Sequence, residues 1–380
     1  MPLIYTVFST TDSPYQQWQS ELLEYSWRQV GQPGELIRFV ATTGETPLPS
    51  HRYARTIPTP LRGRHPVTGD DYSPYNKPAA LLHWLETERP EGTVLLLDPD
   101  CVFRRAIGRE VREGRPVSQT WIGLLHEPGG VGFALDQRFA FLEARGVRPR
   151  TRAQLAMIPT LIHTTDLKRI IARWIEMTAL VRHEVTDRDG RRMWESDMFA
   201  YAIVTAEAGL EHELTSLGIC TNWSPDDAVD APVIHYCQAI KGTDGESLWS
   251  KYEYTPWRRV AGAERAEHDY GRALLTLVNR FASERAVTEI QGARPTSRVG
   301  VRELREDGGL VLCAPGTNRE FSLNHAAAWV WHLCDGARTV SMIRDELERE
   351  FDATDGALHE VLVDTLATLY DANLLVFERG

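Results

Sequence analysis

Two aspartates separated by one proline, Asp98-Pro99-Asp100, follow a continuous apolar run, Thr93-Val94-Leu95-Leu96-Leu97. Such a run has the character of a parallel strand buried on both faces. Carboxylates pushed beyond its carboxyl end repel one another unless a cation separates them. Hard divalent ions such as Mn²⁺ or Mg²⁺ prefer carboxylate oxygens and bridge to diphosphates. By itself the pair is equally compatible with an acidic turn. His235 ends a short apolar stretch, Val233-Ile234, and could complete a metal site. Lys241 lies six residues further on and could neutralise a leaving diphosphate. Alone, these two are a surface histidine beside a loop lysine; coupled to the aspartate pair, the ligand reading is favoured. A third element is Asp197, within Trp194-Glu195-Ser196-Asp197-Met198-Phe199-Ala200-Tyr201. On a helix facing a cavity it could orient an acceptor hydroxyl or stabilise an oxocarbenium-like charge. A helix-capping or salt-bridged aspartate is the alternative, and spacing does not decide between them.

The elements that must position these residues alternate between strands and helices, as an α/β sheet requires. Ile4 to Ser9 reads as a first strand that stops at Thr10-Thr11-Asp12-Ser13-Pro14, and a helix follows with Trp18, Leu22 and Tyr25 on one side. Leu36 to Val40 is a second strand, residues 43–75 look irregular, and Asn76-Lys77-Pro78 opens a helix. Asp166 could cap a helix with the stripe Leu167, Ile170, Ile171, Trp174 and Met177. Trp194 to Leu210 reads as another helix, ending near Gly209. Periodicity fails between Ser283 and Gly300, so the predicted division is a domain over 1–285, a linker over 286–300 and a small domain over 301–380. In the last part a hairpin around Pro315-Gly316 precedes three helices, with Thr339 as the expected cap of the second.

With 380 residues, 42% apolar and 25% charged, the composition is that of a globular protein of two domains. Five scattered cysteines form no metal-ligand pair and suit a reducing compartment. The start of the chain has no signal-peptide character and no apolar run reaches membrane-spanning length, so a cytoplasmic setting is expected. A net charge of −11 argues against general nucleic-acid binding.

Residues 4–257 resemble the plant peptide glycosyltransferases that modify hydroxyproline with arabinose or serine with galactose. The resemblance rests on Val7 to Trp18, Asn76-Lys77-Pro78-Ala79, Val94 to Phe103, Trp194 to Tyr201 and His235-Tyr236, in the family's order. It implies a GT-A-like, Rossmann-type nucleotide-sugar-binding domain. By that resemblance Asp98, Asp100 and His235 would hold Mn²⁺ or Mg²⁺. Thr10, Asp12, Asn76 and Lys77 would lie near a nucleotide sugar, a UDP-sugar by expectation, with Lys241 at the leaving group and Asp197 near the reacting carbons. The family often has Glu where this chain has Asp98 and Asp197. It is also secretory, so the biological setting of this chain would differ.

Residues 302–378 resemble the pyrroloquinoline-quinone-biosynthesis chaperone family, the peptide-recognition elements of ribosomally made, modified peptides. Phe321 to Trp331, Asp335-Gly336, Arg338-Thr339-Val340 and Leu369 to Val376 carry that likeness. It implies a small winged-helix-like α+β domain that takes a precursor's leader peptide as an added strand. The expected edge is Arg319, Glu320, Phe321, Ser322 and Leu323, with the helix from Leu358 as the other wall. A DNA-binding winged helix has similar elements. Residues 301–380 hold seven Arg and no Lys against fifteen Asp plus Glu, a net of −8, which is the wrong sign for phosphate contact. The resulting expectation is a metal-dependent, configuration-retaining peptide O-glycosyltransferase. A small-molecule glycosyltransferase and a non-enzymatic peptide-presenting partner are the alternatives.

Overall fold

A computed structural model of the chain describes residues 4–44, 48, 53–66, 68–120, 141–148, 150–151, 153–154, 156–186, 190–221, 230–254, 258–306, 309–315, 320–351, 357–372 and 374–378. It divides into two compact units, Met1–Tyr252 with Ala266–Leu274, and Glu253–Arg265 with Leu275–Gly380.

The first unit is built on a seven-stranded mixed sheet. Its strands are β1 (Ile4–Thr11), β2 (Glu35–Thr42), β3 (Arg55–Pro60), β4 (Thr93–Leu97), β6 (Val117–Thr120), β7 (Ala156–His163) and β8 (Glu213–Thr215), in the order β3-β2-β1-β4-β7-β6-β8. From β3 to β4 all neighbours run parallel, and β7 lies antiparallel to β4. All five side chains of β4 are buried, as its unbroken apolar sequence demands. The chain leaves β1 toward β2 on one side and returns to β4 on the other. The carboxyl ends of β1 and β4 therefore flank the point where strand order reverses, the place open α/β sheets present to ligands. β3 falls inside the segment expected to be irregular. Its prolines, Pro58 and Pro60, are tolerated because β3 is an edge strand.

A second, three-stranded sheet matters more for chemistry. β5 (Cys101–Phe103) continues from Asp100 and pairs antiparallel with β10 (Val233–His235), which pairs parallel with β9 (Gly218–Cys220). Beyond it, β11 (Ile240–Lys241) and β12 (Ser247–Trp249) form a short antiparallel ribbon.

The helices follow local sequence logic. In α1 (Pro14–Gln29), Pro14 sits in the first turn and the Ser13 hydroxyl caps the Gln16 N–H. The next helix, α2 (Asn76–Thr87), opens at Asn76 as expected, and α3 (Phe141–Ala144) is a single turn. For α4 (Thr164–Glu184) the cap is His163, whose Nδ1 accepts from the Thr165 N–H, and not Asp166. Asp166 is buried in the first turn and instead accepts the Gly114 N–H at 2.6 Å. The stripe Leu167, Ile170, Ile171, Trp174 and Met177 is buried as its period predicts. Finally, α5 (Ser196–Ala208) starts two residues later than expected and stops at Gly209, which adopts the left-handed conformation at φ 70°.

One ionic cluster ties the 61–75 segment to this scaffold. Asp70 meets Arg182 at 3.1 Å and Arg192 at 2.5 Å, and Arg182 also donates to the Met193 carbonyl and lies over the Tyr72 ring. Burial pushes the Asp70 carboxyl up, but hydrogen bonds from Arg192 and Arg182 outweigh it and hold it below the usual range. Asp70→Ala should therefore cost about 2 kcal/mol, the scale of charged hydrogen bonds lost from a partly buried site. Because the folded-state pKa is depressed, that contribution is present at neutral pH and disappears as pH falls through it. Melting curves of wild type and variant should differ at pH 7 and converge in acid.

The second unit contains most of α6 (Asp269–Ile290), a two-stranded ribbon and a small sheet with three helices. The ribbon pairs β13 (Arg294–Ser297) with β17 (Leu375–Glu378), and the sheet has the order β14 (Arg302–Glu306), β15 (Gly309–Cys313), β16 (Glu320–Leu323). The helices are α7 (His325–Leu333), α8 (Val340–Glu350) and α9 (Ala357–Asp371). Thr339 caps α8 as expected, and Asn324 caps α7. Leu310, Leu312, Trp331, Ile343, Leu347, Leu362, Leu366 and Leu375 form its core. Residues 286–300, expected as a linker, are largely regular structure. α6 runs through to Ile290, and Arg294–Ser297 is paired with the last strand.

Candidate active site

The chain turns sharply at the end of β4, so Asp98 sits at the strand's carboxyl end and Asp100 leads into β5. Pairing of β5 with β10 sets His235 opposite Cys101, and the Tyr236 N–H donates to the Asp100 carbonyl at 2.9 Å. Main-chain hydrogen bonds thus bring an imidazole to the two carboxylates across a long separation in sequence. His235 Nε2 lies 3.2 Å from Asp100 Oδ1 and 4.0 Å from Asp98 Oδ2. One donor atom from each of the three residues falls within 4.8 Å of the others. Cys220 Sγ is 3.9 Å from His235 Nδ1, on the ring's far side.

Each carboxylate turns its other oxygen to a lysine. Lys77 Nζ lies 2.8 Å from Asp98 Oδ1, and Lys251 Nζ lies 2.5 Å from Asp100 Oδ2. Burial pushes the Asp100 carboxyl up, but His235 and Lys251 outweigh that and hold it well below the usual range. Burial disfavours a charged His235, yet Asp100 raises it to about 9. Lys77 and Lys251 are likewise held above the ordinary lysine value by their carboxylates, against burial. The donor set of two carboxylate oxygens and one imidazole nitrogen, facing one another, fits a hard divalent cation.

Lys77 links this cluster to Asp197. Its ammonium is 3.0 Å from Asp197 Oδ2, while the Tyr72 hydroxyl is 2.9 Å from Asp197 Oδ1 and also reaches the Trp194 carbonyl. The Asp197 main chain is held too, its carbonyl accepting the Trp174 indole N–H at 2.7 Å. Asp197 stands in the first turn of α5, where the helix dipole favours negative charge.

The other residues singled out in the sequence are placed differently. The Thr10 hydroxyl is buried within the sheet, donating to the Phe39 carbonyl and accepting from Arg38 Nε. Asp12 is exposed beside Thr42. Asn76 is buried, with its oxygen on the Arg62 N–H at 2.7 Å and its Nδ2 unpartnered. Lys241 is exposed on β11 and makes no ion pair with Asp98 or Asp100 among the described residues. The turn between β11 and β12 sends the chain back, and it is Lys251 that reaches the cluster. Sequence reasoning missed Lys251 and Tyr72. In the second unit Glu320 and Ser322 are exposed on β16, Phe321 and Leu323 are half-buried against the core, and Leu358 packs beside it. Arg319 lies outside the described residues.

An acidic pair and a histidine meet at the switch point of a mixed α/β sheet, with donor atoms close enough together to suit a cation. The model of the Hydroxyproline O-arabinosyltransferase family N-terminal domain matches residues 4–214, more than half of the chain, and the chain belongs to this family. The model of Coenzyme PQQ synthesis protein D matches residues 309–375. A Peptidyl serine alpha-galactosyltransferase from Arabidopsis thaliana is 32% identical over 68% of this chain and 32% of its own length. One of the same name from Chlamydomonas reinhardtii is 27% identical over 61% of this chain and 34% of its own length. A Hydroxyproline O-arabinosyltransferase, NOD3, from Pisum sativum is 23% identical over 54% of this chain and 60% of its length. The chain thus spans about a third of the two galactosyltransferases. The structure of the galactosyltransferase LgtC with donor and acceptor sugar analogs aligns over 73% of this chain and 96% of that one, at 14% identity and a TM-score of 0.40. No helix among the described residues is long and apolar enough to cross a membrane.

Proposed function

We propose that this chain is a metal-dependent glycosyltransferase that moves a sugar from a nucleotide diphosphate donor, a UDP-sugar, to a hydroxyl of a ribosomally made peptide. The observation that carries the reading is the cluster of Asp98, Asp100 and His235, joined through Lys77 to Asp197. Asp98, Asp100 and His235 would hold Mn²⁺ or Mg²⁺, which when bound neutralises the departing diphosphate. Lys77 aims one oxygen of Asp197, and Tyr72 fixes the carboxylate's other oxygen. A fixed anion there can orient the acceptor hydroxyl or lower the energy of positive charge developing on the sugar ring. Lys251 holds Asp100 in place, and Lys241 remains an exposed cation for the leaving group. Retention of configuration is part of the proposal by family likeness.

The second unit would recruit the acceptor through its leader peptide. β16 lies at one end of the β14-β15-β16 order, and an edge strand offers main-chain groups to an extended peptide. Recruitment of this kind makes the encounter of acceptor and active site intramolecular.

Intact-mass analysis of a precursor peptide incubated with the protein, Mn²⁺ and a panel of nucleotide sugars tests the whole reading. A pentose or hexose increment on the precursor supports it, while no increment with any donor counts against it. Ser322→Pro, which removes a main-chain donor from the edge, should weaken leader binding about tenfold. Ser322→Ala, touching only an exposed side chain, should not. Circular dichroism must show the proline variant folded. Equal precursor turnover by the folded proline variant would remove β16 from the proposal.

A further inference from the structure

An exposed tryptophan beside a catalytic carboxylate calls for a partner. Trp194 is 64% exposed, three residues before Asp197, and its carbonyl shares the Tyr72 hydroxyl with that carboxylate. The indole is held: it meets the Tyr72 ring edge-on, with centroids 5.7 Å apart at 84°. A large apolar side chain kept rigid in water loses little conformational freedom when a ligand covers it, the property that makes aromatic residues binding anchors.

The aromatic row continues away from Asp197. The Tyr72 ring meets Tyr75 at 5.1 Å, and Tyr75 meets His65 at 5.7 Å. Tyr75 and His65 then line a cleft of about 350 Å³, with Pro60, Arg62, Arg64 and His83 among the other walls. Its ionic character is cationic, for Glu86 is the only acid beside Arg62 and Arg64 among the described lining residues. The Arg62 side chain is exposed and makes no ion pair among the described residues. A cleft with His65 and Tyr75 in its wall suits an extended peptide, and a guanidinium with no ion pair among the described residues suits a carboxylate.

We propose that the acceptor peptide crosses Trp194 and runs into the cleft lined by Arg62, His65, Tyr75 and His83. Trp194 is the platform for the residue that receives the sugar, and Arg62 pairs with an acidic side chain flanking it. This rests on the peptide-glycosyltransferase reading above and adds an acceptor preference to it: extended, with an acid near the modified residue.

The test uses the full chain with Mn²⁺, UDP-sugar and a panel of short leaderless peptides of serine and proline that carry Glu, Ala or Lys beside the acceptor. Wild type should show the lowest KM for the Glu peptide. Trp194→Ala should raise the peptide KM about tenfold, with kcat and the Kd for UDP near wild type. Trp194→Tyr, which restores an aromatic face, should recover most of that loss. Arg62→Glu should invert the preference from the Glu peptide to the Lys peptide. Transfer by wild type with unchanged KM in Trp194→Ala and unchanged preference in Arg62→Glu overturns the cleft alone. No transfer by wild type to any of these peptides while a leader-bearing precursor is modified also overturns the cleft alone. No transfer to the precursor either, with UDP still bound, overturns the peptide reading and the cleft with it.

Discussion

Asp100→Ala should reduce sugar transfer by at least about a thousandfold, the scale on which active sites lose rate when a preorganised charge is removed. Asp100 carries both an oxygen facing His235 Nε2 and an oxygen holding Lys251. Its loss would remove one of the three candidate donors for a divalent cation and leave the buried Lys251 ammonium without its carboxylate. The second consequence is structural, because breaking one side of a buried ion pair costs on the order of 3 kcal/mol. Asp100→Asn keeps the shape of the side chain but not its charge, so it leaves Lys251 equally unneutralised: activity should be lost, and only the packing part of the stability loss recovered. Turnover with added Mn²⁺, UDP binding and melting temperature for both variants make the check. Wild-type turnover by either variant would remove the cluster from the chemistry.

For Asp197→Asn the expected result is a fall in kcat on the order of a hundredfold or more, with donor affinity changed by less than about threefold. An asparagine fits the same space, and Tyr72 and the Trp174 indole can still hold it in place. It cannot, however, supply a negative charge. Lys77 would retain Asp98 as its partner, so the Asp98–Asp100–His235 cluster should survive. Kinetics and calorimetric titration of UDP distinguish this from a structural role. A large loss of donor affinity would place Asp197 in the donor pocket, and an unaltered kcat would make it a helix-terminal ion pair.

What could be read in the sequence was what short segments decide by themselves. The run ending at Leu97 forces a buried strand, and the following Asp98-Pro99-Asp100 must then emerge at its carboxyl end. Thr339 caps its helix because three residues suffice to specify the motif. The contacts that build the site involve partners distant in the chain. Tyr72 lies in a stretch of Pro, Gly and Asp without periodicity, and its contact with Asp197 spans 125 residues. Lys241 is close to His235 in sequence, yet the β11–β12 turn carries Lys251 back to Asp100. Arg294–Ser297 looked like linker because its strand partner is Leu375–Glu378, near the other end of the small unit.

The Lys251–Asp100 pair closes over 151 residues, and His235 reaches Asp100 from nearly as far. Contacts of such separation form late, since the entropy of closing a long loop must be met before the contact returns anything. During synthesis the β1–β4 core can assemble once the first hundred or so residues have emerged, but its two aspartates then have neither imidazole nor second ammonium. A nascent or truncated chain ending before residue 235 would hold its acidic pair with Lys77 as the one partner from this cluster. The candidate site is therefore complete only after residue 251 has been made, long after the strand that carries its aspartates.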